Sequence, residues 1–262
     1  MDVFAARSPR ACSAGNGMKV ILMGATKGIG RAVARRLASR GASMSLLGRD
    51  MAELERSARD LKARGAAGRV VTALCDMADP DTFDAVLASA DADLDGFDTV
   101  VVTAAAFATQ ERLEAEPALL RRLLDTNFTN TILFCEAARK RLLSRGGGTL
   151  CVVSSVAGER GRKPVVLYGA SKAGLSAYLE GLDHKFRSQG LVTVCVKPGF
   201  VTTSMTEGLP APPFAGTPEA VAARIVRAID RGTPVVYAPG IWALVMFVIR
   251  LLPRIVMRRV GF

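Results

Sequence analysis

The stretch that decides the fold is Val20-Ile21-Leu22-Met23 running straight into Gly24-Ala25-Thr26-Lys27-Gly28-Ile29-Gly30, followed by the alanine-rich Arg31–Ala38. Four consecutive apolar residues before a glycine cluster read as a strand buried on both faces. The glycines make a tight turn whose backbone N–H groups can approach a pyrophosphate, and the following helix adds the partial positive charge of its N-terminus. The spacing is GxxxGxG, not the GxGxxG of the general dinucleotide fingerprint.

Outward from this turn, strand and helix patterns alternate. Short apolar or β-branched runs lie at Val20–Met23, Met44–Leu47, Val70–Leu74, Thr99–Val102, Leu150–Val153, Leu191–Val196 and Val235–Tyr237. Amphipathic stretches separate them, among them Ile29–Arg40, Met51–Arg64, Thr131–Ser144, Ala170–Arg187 and Pro218–Arg231. The pattern predicts an α/β fold, a doubly wound parallel sheet of about seven strands covered on both faces. Thr202–Gly216, with three prolines and two glycines, is the longest irregular segment and reads as a lid. The domains expected are a disordered tail over 1–17, with Met18 as an alternative start, one nucleotide-binding domain over 18–240, and a basic amphipathic helix over 241–262.

Composition narrows the class. Of 262 residues, half are apolar and 23% are charged, which excludes a disordered or collagen-like chain. A chain of this length buries roughly 70–75% of its unfolded surface, enough for a self-sufficient core. The five cysteines (Cys12, Cys75, Cys135, Cys151 and Cys195) are odd in number and scattered, with no CxxC pair. They read as small core hydrophobes in a reducing, cytoplasmic compartment, and no metal site is expected. His184, the single histidine, reads as a packing or surface residue. The net charge of +11 concentrates in part at the end of the chain, where residues 240–262 hold four arginines and no acid. No basic run with interleaved aromatics occurs, so nucleic acid is discounted.

Two cations bear on the nucleotide. An acid after the second strand would hold ribose hydroxyls, whereas a cation would accept a 2′-phosphate. Here the strand ends Leu47-Gly48-Arg49, and Lys27 lies inside the glycine turn, so the pair favours NADP(H). Asp50 reads as a helix N-cap, and Asp76 is placed to meet the adenine. Tyr168-Gly169-Ala170-Ser171-Lys172 sets a phenol and an ammonium at i and i+4, on one helical face. A cation about 4 Å away at an effective dielectric of 20 would favour the phenolate by roughly 4 kcal/mol before opposing desolvation. Ser155, thirteen residues upstream at the end of the fifth strand, could hydrogen-bond a carbonyl oxygen where charge develops. Asn127 is expected to open another helix.

These residues carry a resemblance. Gly24–Gly30, Asp76, Asn127, Ser155, Tyr168xxxLys172 and Pro198-Gly199-Phe200-Val201-Thr202-Thr203 occur in the order and spacing of the short-chain dehydrogenases/reductases, over about 18–240. The resemblance implies a single Rossmann-type domain, a nicotinamide cofactor, and a homodimer or homotetramer. It implies Tyr168 as general acid/base, Lys172 as the group that lowers its pKa and binds the nicotinamide ribose, Ser155 as carbonyl polariser and Asn127 as anchor of a water relay. The cofactor set it implies is Gly24, Thr26, Lys27, Gly28, Ile29, Gly30, Arg49, Asp76, Met77, Thr103, Ala104, Pro198, Gly199, Val201 and Thr203, with Tyr168 and Lys172. One departure stands out: the family's Asn-Asn-Ala-Gly after the fourth strand is here Val102-Thr103-Ala104-Ala105. Thr103 can still donate and accept a hydrogen bond.

The end of the chain bears on substrate. Ile241–Ile249 is nine unbroken apolar residues, too few to span a bilayer, and Arg250, Arg254 and Arg258 recur every four as a cationic stripe. With Trp242, Phe247, Leu251 and the methionines as apolar surface, the segment reads as a helix lying in an anionic membrane interface, or as one packed on protein, with Pro253 kinking it. Met205–Pro210 together with this tail resembles the decaprenylphosphoryl 2-keto-erythro-pentose reductases, which implies a polyprenyl-phosphate keto sugar. Three functions follow as expectations: an NADPH-dependent reductase of a lipid-linked ketone, peripheral on the inner face of the membrane; a soluble reductase of 3-oxoacyl or small ketones; and a non-catalytic NADP-binding, membrane-docking protein.

Overall fold

The strands follow from burial. In the computed structural model, which describes residues 17–259, β1 (Lys19–Met23), β2 (Ser43–Gly48), β4 (Thr99–Val102) and β6 (Leu191–Pro198) are buried almost throughout, while the edge strands β3 (Val70–Leu74) and β7 (Val235–Ala238) are half-exposed. With β5 (Gly148–Val153) they form one parallel sheet in the order β3-β2-β1-β4-β5-β6-β7. Alternation across the pleat sends Val20 and Leu22 to one face and Ile21 and Met23 to the other. Helices α1 (Gly28–Ala38), α2 (Met51–Ala63) and, later in the chain, Pro218–Arg231 cover the first face with Val33, Leu37, Leu54, Leu61, Ile225 and Ile229. The second face is covered by α3 (Phe83–Leu94) and by two helices further on, Asn130–Ser144 and Val166–Phe186, through Phe83, Leu87, Phe134, Leu142, Leu175 and Leu179.

In chain order the remaining helices are α4 (Gln110–Ala115), α5 (Pro117–Leu124), α6 (Asn130–Ser144), α7 (Val166–Phe186), α8 (Pro218–Arg231), α9 (Ile241–Leu251) and α10 (Arg254–Arg259). The seven strands lie where the apolar runs predict them, and the doubly wound sheet is the expected fold, in a single domain. The chain leaves β1 towards β2 and β3 on one side and returns to β4 on the other, so a crevice opens at the C-terminal ends of β1 and β4. That switch point is where open parallel sheets bind ligands.

Three expectations change. Asn127 does not open a helix: it lies in a π-helical turn, Asp125–Thr129, that joins α5 to α6. A wider turn of this kind inserts a residue without ending the helix. Ser155 stands two residues beyond β5, as the N-cap of a 3₁₀ turn at Val156–Gly158, its side chain accepting from the Ala157 N–H. The tail is two helices, broken at Leu252-Pro253. Met246 and Ile249 of α9 are buried against Val156, with Trp242 and Met257 packed around them, so the residues expected as exposed apolar surface partly turn inward. Asp50 is the N-cap of α2, accepting from the Glu53 N–H at 3.1 Å. Except for Gly17, the tail 1–17 lies outside the described residues, as does Cys12. Among the described residues, no helix is long and apolar enough to cross a membrane.

Candidate active site

The glycine turn and the loop after β4 are built as one unit. A Cβ on Gly30 would overlap the Gly24 carbonyl oxygen, and one on Gly24, at φ +91°, would lie 2.7 Å from the Ala104 nitrogen and from Thr103 Oγ1. Only glycine lets α1 start this close to the strand ends. Thr103 Oγ1 lies 3.1 Å from both the Met23 and the Gly24 carbonyl oxygens, donating to them as a shared hydrogen bond. The residue that departs from the family pattern thus ties β4 to the turn after β1. On the other side, the Gly24 N–H donates to the Leu47 carbonyl at 2.9 Å. Gly48 abuts Thr26, whose methyl would be 3.8 Å from a Cβ there. Lys27 and Arg49 are therefore carried on touching segments. Both are exposed, and neither joins an ion pair among the described residues. Backbone N–H groups at the first turn of α1, which Gly24 and Gly30 bring close to the strand ends because neither has room for a Cβ, fit the pyrophosphate of a dinucleotide, and the two exposed cations beside them fit its 2′-phosphate.

At the far side of the crevice, Asp76 is exposed and accepts from the Ala78 N–H at 2.9 Å, while Met77 is buried and its carbonyl accepts from Asn130 Nδ2 at 2.6 Å. Asn127 is fully buried. Its Oδ1 accepts from the Ala106 N–H at 2.7 Å and its Nδ2 donates to the Ala106 carbonyl at 2.8 Å. The side-chain amide therefore clamps the loop after β4, with one N–H and one lone pair left over. The loop in turn sets Phe107 edge-on against the Tyr168 ring, with centroids 5.2 Å apart.

Ser155, Tyr168 and Lys172 come together because the 3₁₀ turn lies flush on α7. A Cβ on Gly158 would sit 2.6 Å from the Lys172 carbonyl carbon, and Ser154 Oγ donates to the Lys172 carbonyl at 2.9 Å. Ser155 Oγ lies 3.5 Å from the Pro198 carbonyl, a long bond that a better acceptor would displace. Tyr168 is half-buried, and desolvation pushes its phenol up to about 12, against the lowering effect of a hydrogen bond with Ser155. Lys172 is 1% exposed, and burial pulls its ammonium down to about 8. Its Nζ stands 5.9 Å from the Tyr168 ring centroid and donates to the Val153 carbonyl at 3.0 Å.

Pro198 ends β6 and Gly199 follows it, with Trp242 of α9 packed against Gly199. Val201 is buried and bridges Gly216, closing the base of the irregular segment 202–216. Thr203 reaches back to the glycine turn, its methyl 3.2 Å from where a Cβ of Gly28 would be. Ile29 and Ala104 are half-buried beside that turn. Sequence reasoning missed Ser154, Phe107 and the pairing of Lys197 with Glu159 behind Pro198. Ser154 had a visible cue in its neighbour Ser155; the other two had none.

Residues 18–212 match the family model for short chain dehydrogenases. The chain is 38% identical over 248 residues to an uncharacterised oxidoreductase of Streptomyces coelicolor, covering 92% of this chain and 94% of that one. An uncharacterised oxidoreductase of Mycobacterium tuberculosis is 37% identical over 242 residues, covering 92% and 96%. The fold superposes on an actinorhodin polyketide ketoreductase solved with NADPH, with a TM-score of 0.76 and 22% identity over 84% of this chain and 95% of that one. The crevice at the β1/β4 switch point and the Ser155–Tyr168–Lys172 group are thus set in a chain that belongs to the short-chain dehydrogenase/reductase family of oxidoreductases.

Proposed function

We propose that this protein uses NADPH to reduce the ketone of a lipid-linked substrate. The observation that carries the reading is the Tyr168 phenol, half-buried beside the Ser155 hydroxyl and pushed up to about 12. At neutral pH such a phenol keeps its proton, with only about one part in 10⁵ ionised, so it is an acid ready to donate. Reduction needs that acid. Ser155 gives up its long bond to Pro198 and donates to the substrate carbonyl oxygen, drawing electron density towards it. Tyr168 delivers its proton to the same oxygen as the alcohol forms. Lys172, drawn down to about 8, still carries its charge at neutral pH and steadies the negative charge left on the phenol. Nicotinamide, when bound, supplies the hydride to the carbonyl carbon. Gly24, Gly28, Gly30, Thr103 and Ala104 would hold the dinucleotide at the switch point, with Asp76 and Met77 beside the adenine and Pro198, Gly199, Val201 and Thr203 near the nicotinamide.

NADPH is favoured over NADH by Lys27 and Arg49, two unpaired cations on touching segments, and by the NADPH of the structurally similar ketoreductase. Arg49→Asp should raise the KM for NADPH by roughly 10–100-fold, the loss of one charge-assisted bond, and leave that for NADH nearly unchanged. Equal losses for both cofactors would overturn the preference.

The lipid-linked substrate rests on the tail, whose outer face exposes Leu244, Phe247, Val248, Leu251 and Ile255 beside arginines. A polyprenyl-phosphate keto sugar, as the tail's resemblance implies, or a 3-keto lipid would suit it. The second reading, a soluble 3-oxoacyl reductase, is favoured by the polyketide ketoreductase likeness. Comparing kcat/KM for a polyprenyl-phosphate keto sugar, a long-chain 3-keto lipid and a water-soluble 3-oxoacyl thioester separates them. Higher efficiency on the thioester would assign the soluble reading, and no turnover on any ketone would assign the non-catalytic one.

A further inference from the structure

The loop that leaves the 3₁₀ turn beside Ser155 carries Glu159, Arg160, Arg162 and Lys163. Glu159 is nearly buried and already doubly paired, with Lys197 and with Arg250 of α9 at 3.2 Å. Beyond it, Arg160, Gly161 and Lys163 face Arg254, Met257 and Arg258 of α10 across a cleft of ≈ 410 Å³. Four of the six lining residues are cationic and none is acidic. Arg160 Nη2 donates to the Leu252 carbonyl at 2.8 Å, and Lys163 Nζ donates to the Arg258 carbonyl at 2.7 Å. Main-chain carbonyls thus fix these two cations in place without neutralising them. Among the described residues, no ion pair includes Arg160, Lys163, Arg254 or Arg258. Arg162, between the two loop cations, has its Nε buried without a partner. Four like charges held around one concavity repel one another, and an anion with several oxygens relieves that repulsion while accepting guanidinium forks.

The same two helices say what the anion is attached to. Leu251 is 69% and Ile255 61% exposed, one on each side of the Leu252-Pro253 break, with Phe247 and Leu244 continuing the apolar face along α9. An apolar surface beside a cationic cleft complements a molecule with a phosphate head and a hydrocarbon chain. We propose that this cleft binds the phosphate of an anionic lipid whose chain lies against the exposed face of α9 and α10, at the rim of the catalytic site. The proposal deepens the lipid-ketone reading, on which it rests for the identity of the lipid as substrate, but binding itself is read without turnover.

The test is flotation of the full-length protein with vesicles of phosphatidylglycerol and phosphatidylcholine, or of phosphatidylcholine alone. Binding should require phosphatidylglycerol and fall with added salt. Arg254→Gln/Arg258→Gln, both exposed and with the Arg258 carbonyl retained, should weaken it about 25-fold, two roughly fivefold losses, and leave cofactor binding unchanged. Equal binding to neutral vesicles, no binding to either, or an unchanged double variant would overturn the proposal. So would saturation of the cleft by inorganic phosphate with no gain from vesicles, which would make the free anion its ligand. Sedimentation adds a further check: a dimer dispersed by Leu251→Gln/Ile255→Gln would mean that a second copy covers this face, and would also overturn it. Flotation without turnover of any lipid ketone would support the cleft and remove the lipid-ketone reading; turnover of a detergent-dispersed lipid ketone without flotation would remove the cleft alone.

Discussion

Lys172 is the most costly side chain in the site. Its ammonium is 1% exposed, has one protein acceptor, the Val153 carbonyl, and is drawn from about 10.5 in the unfolded chain to about 8. Between those values the unfolded chain binds a proton that the folded one has released, so the folded state gains stability as pH rises through that window. Below about 8 the full penalty of the buried charge is present, roughly 3 kcal/mol. Denaturant midpoints of the wild type and Lys172→Met, measured from pH 7 to 10.5, should therefore converge or cross in the wild type's favour as pH rises, while the reduction rate of the wild type falls above about 8. A stability difference that stays flat with pH would show that Lys172 is not a buried cation. The spacing of Tyr168 and Lys172 placed both residues in one site from the sequence. What it could not show is where the ammonium goes: i and i+4 fix two Cβ positions, and a four-carbon stem then chooses between the phenol and the Val153 carbonyl.

At the scale of elements, apolar runs made the strands legible almost to the residue, because a strand buried on both faces carries few polar residues, among them Ser45 in β2 and Thr193 in β6. The π turn at Asp125–Thr129 was not legible, since one inserted residue leaves the helical apolar pattern nearly intact. Nor did the altered sequence after β4 reveal its own compensation. Thr103 holds the Met23 and Gly24 carbonyls with one hydroxyl, a contact across 80 residues that only the sheet order creates. Thr103→Val keeps the shape and removes the donor. It should cost about 1–3 kcal/mol of stability and weaken NADPH binding, and Thr103→Ser should restore both. Denaturation midpoints and cofactor titrations check this; a valine variant equal to the wild type would show that the hydroxyl does not hold the cradle.

At the scale of the molecule, the fold brings the dinucleotide crevice, the acid Tyr168 and the cationic tail to one end of the sheet, because every parallel strand delivers its following loop there. Charge counting found the four terminal arginines but not their partners. Arg160 and Lys163 lie some ninety residues earlier and reach the tail only through the 3₁₀ turn that also presents Ser155. The proposed lipid site and the hydroxyl of Ser155 are therefore joined by a single loop. The proposed reaction is the reduction of a ketone with a proton from Tyr168. Its most direct test is ketone-dependent NADPH consumption by the full-length wild type and by Tyr168→Phe, with NADPH affinity measured on both. The rate should fall by about 10²–10⁴ in the variant while NADPH affinity stays unchanged, because only the acid is removed. Retained turnover in Tyr168→Phe, or NADPH consumption in the wild type that does not depend on the ketone, would contradict it.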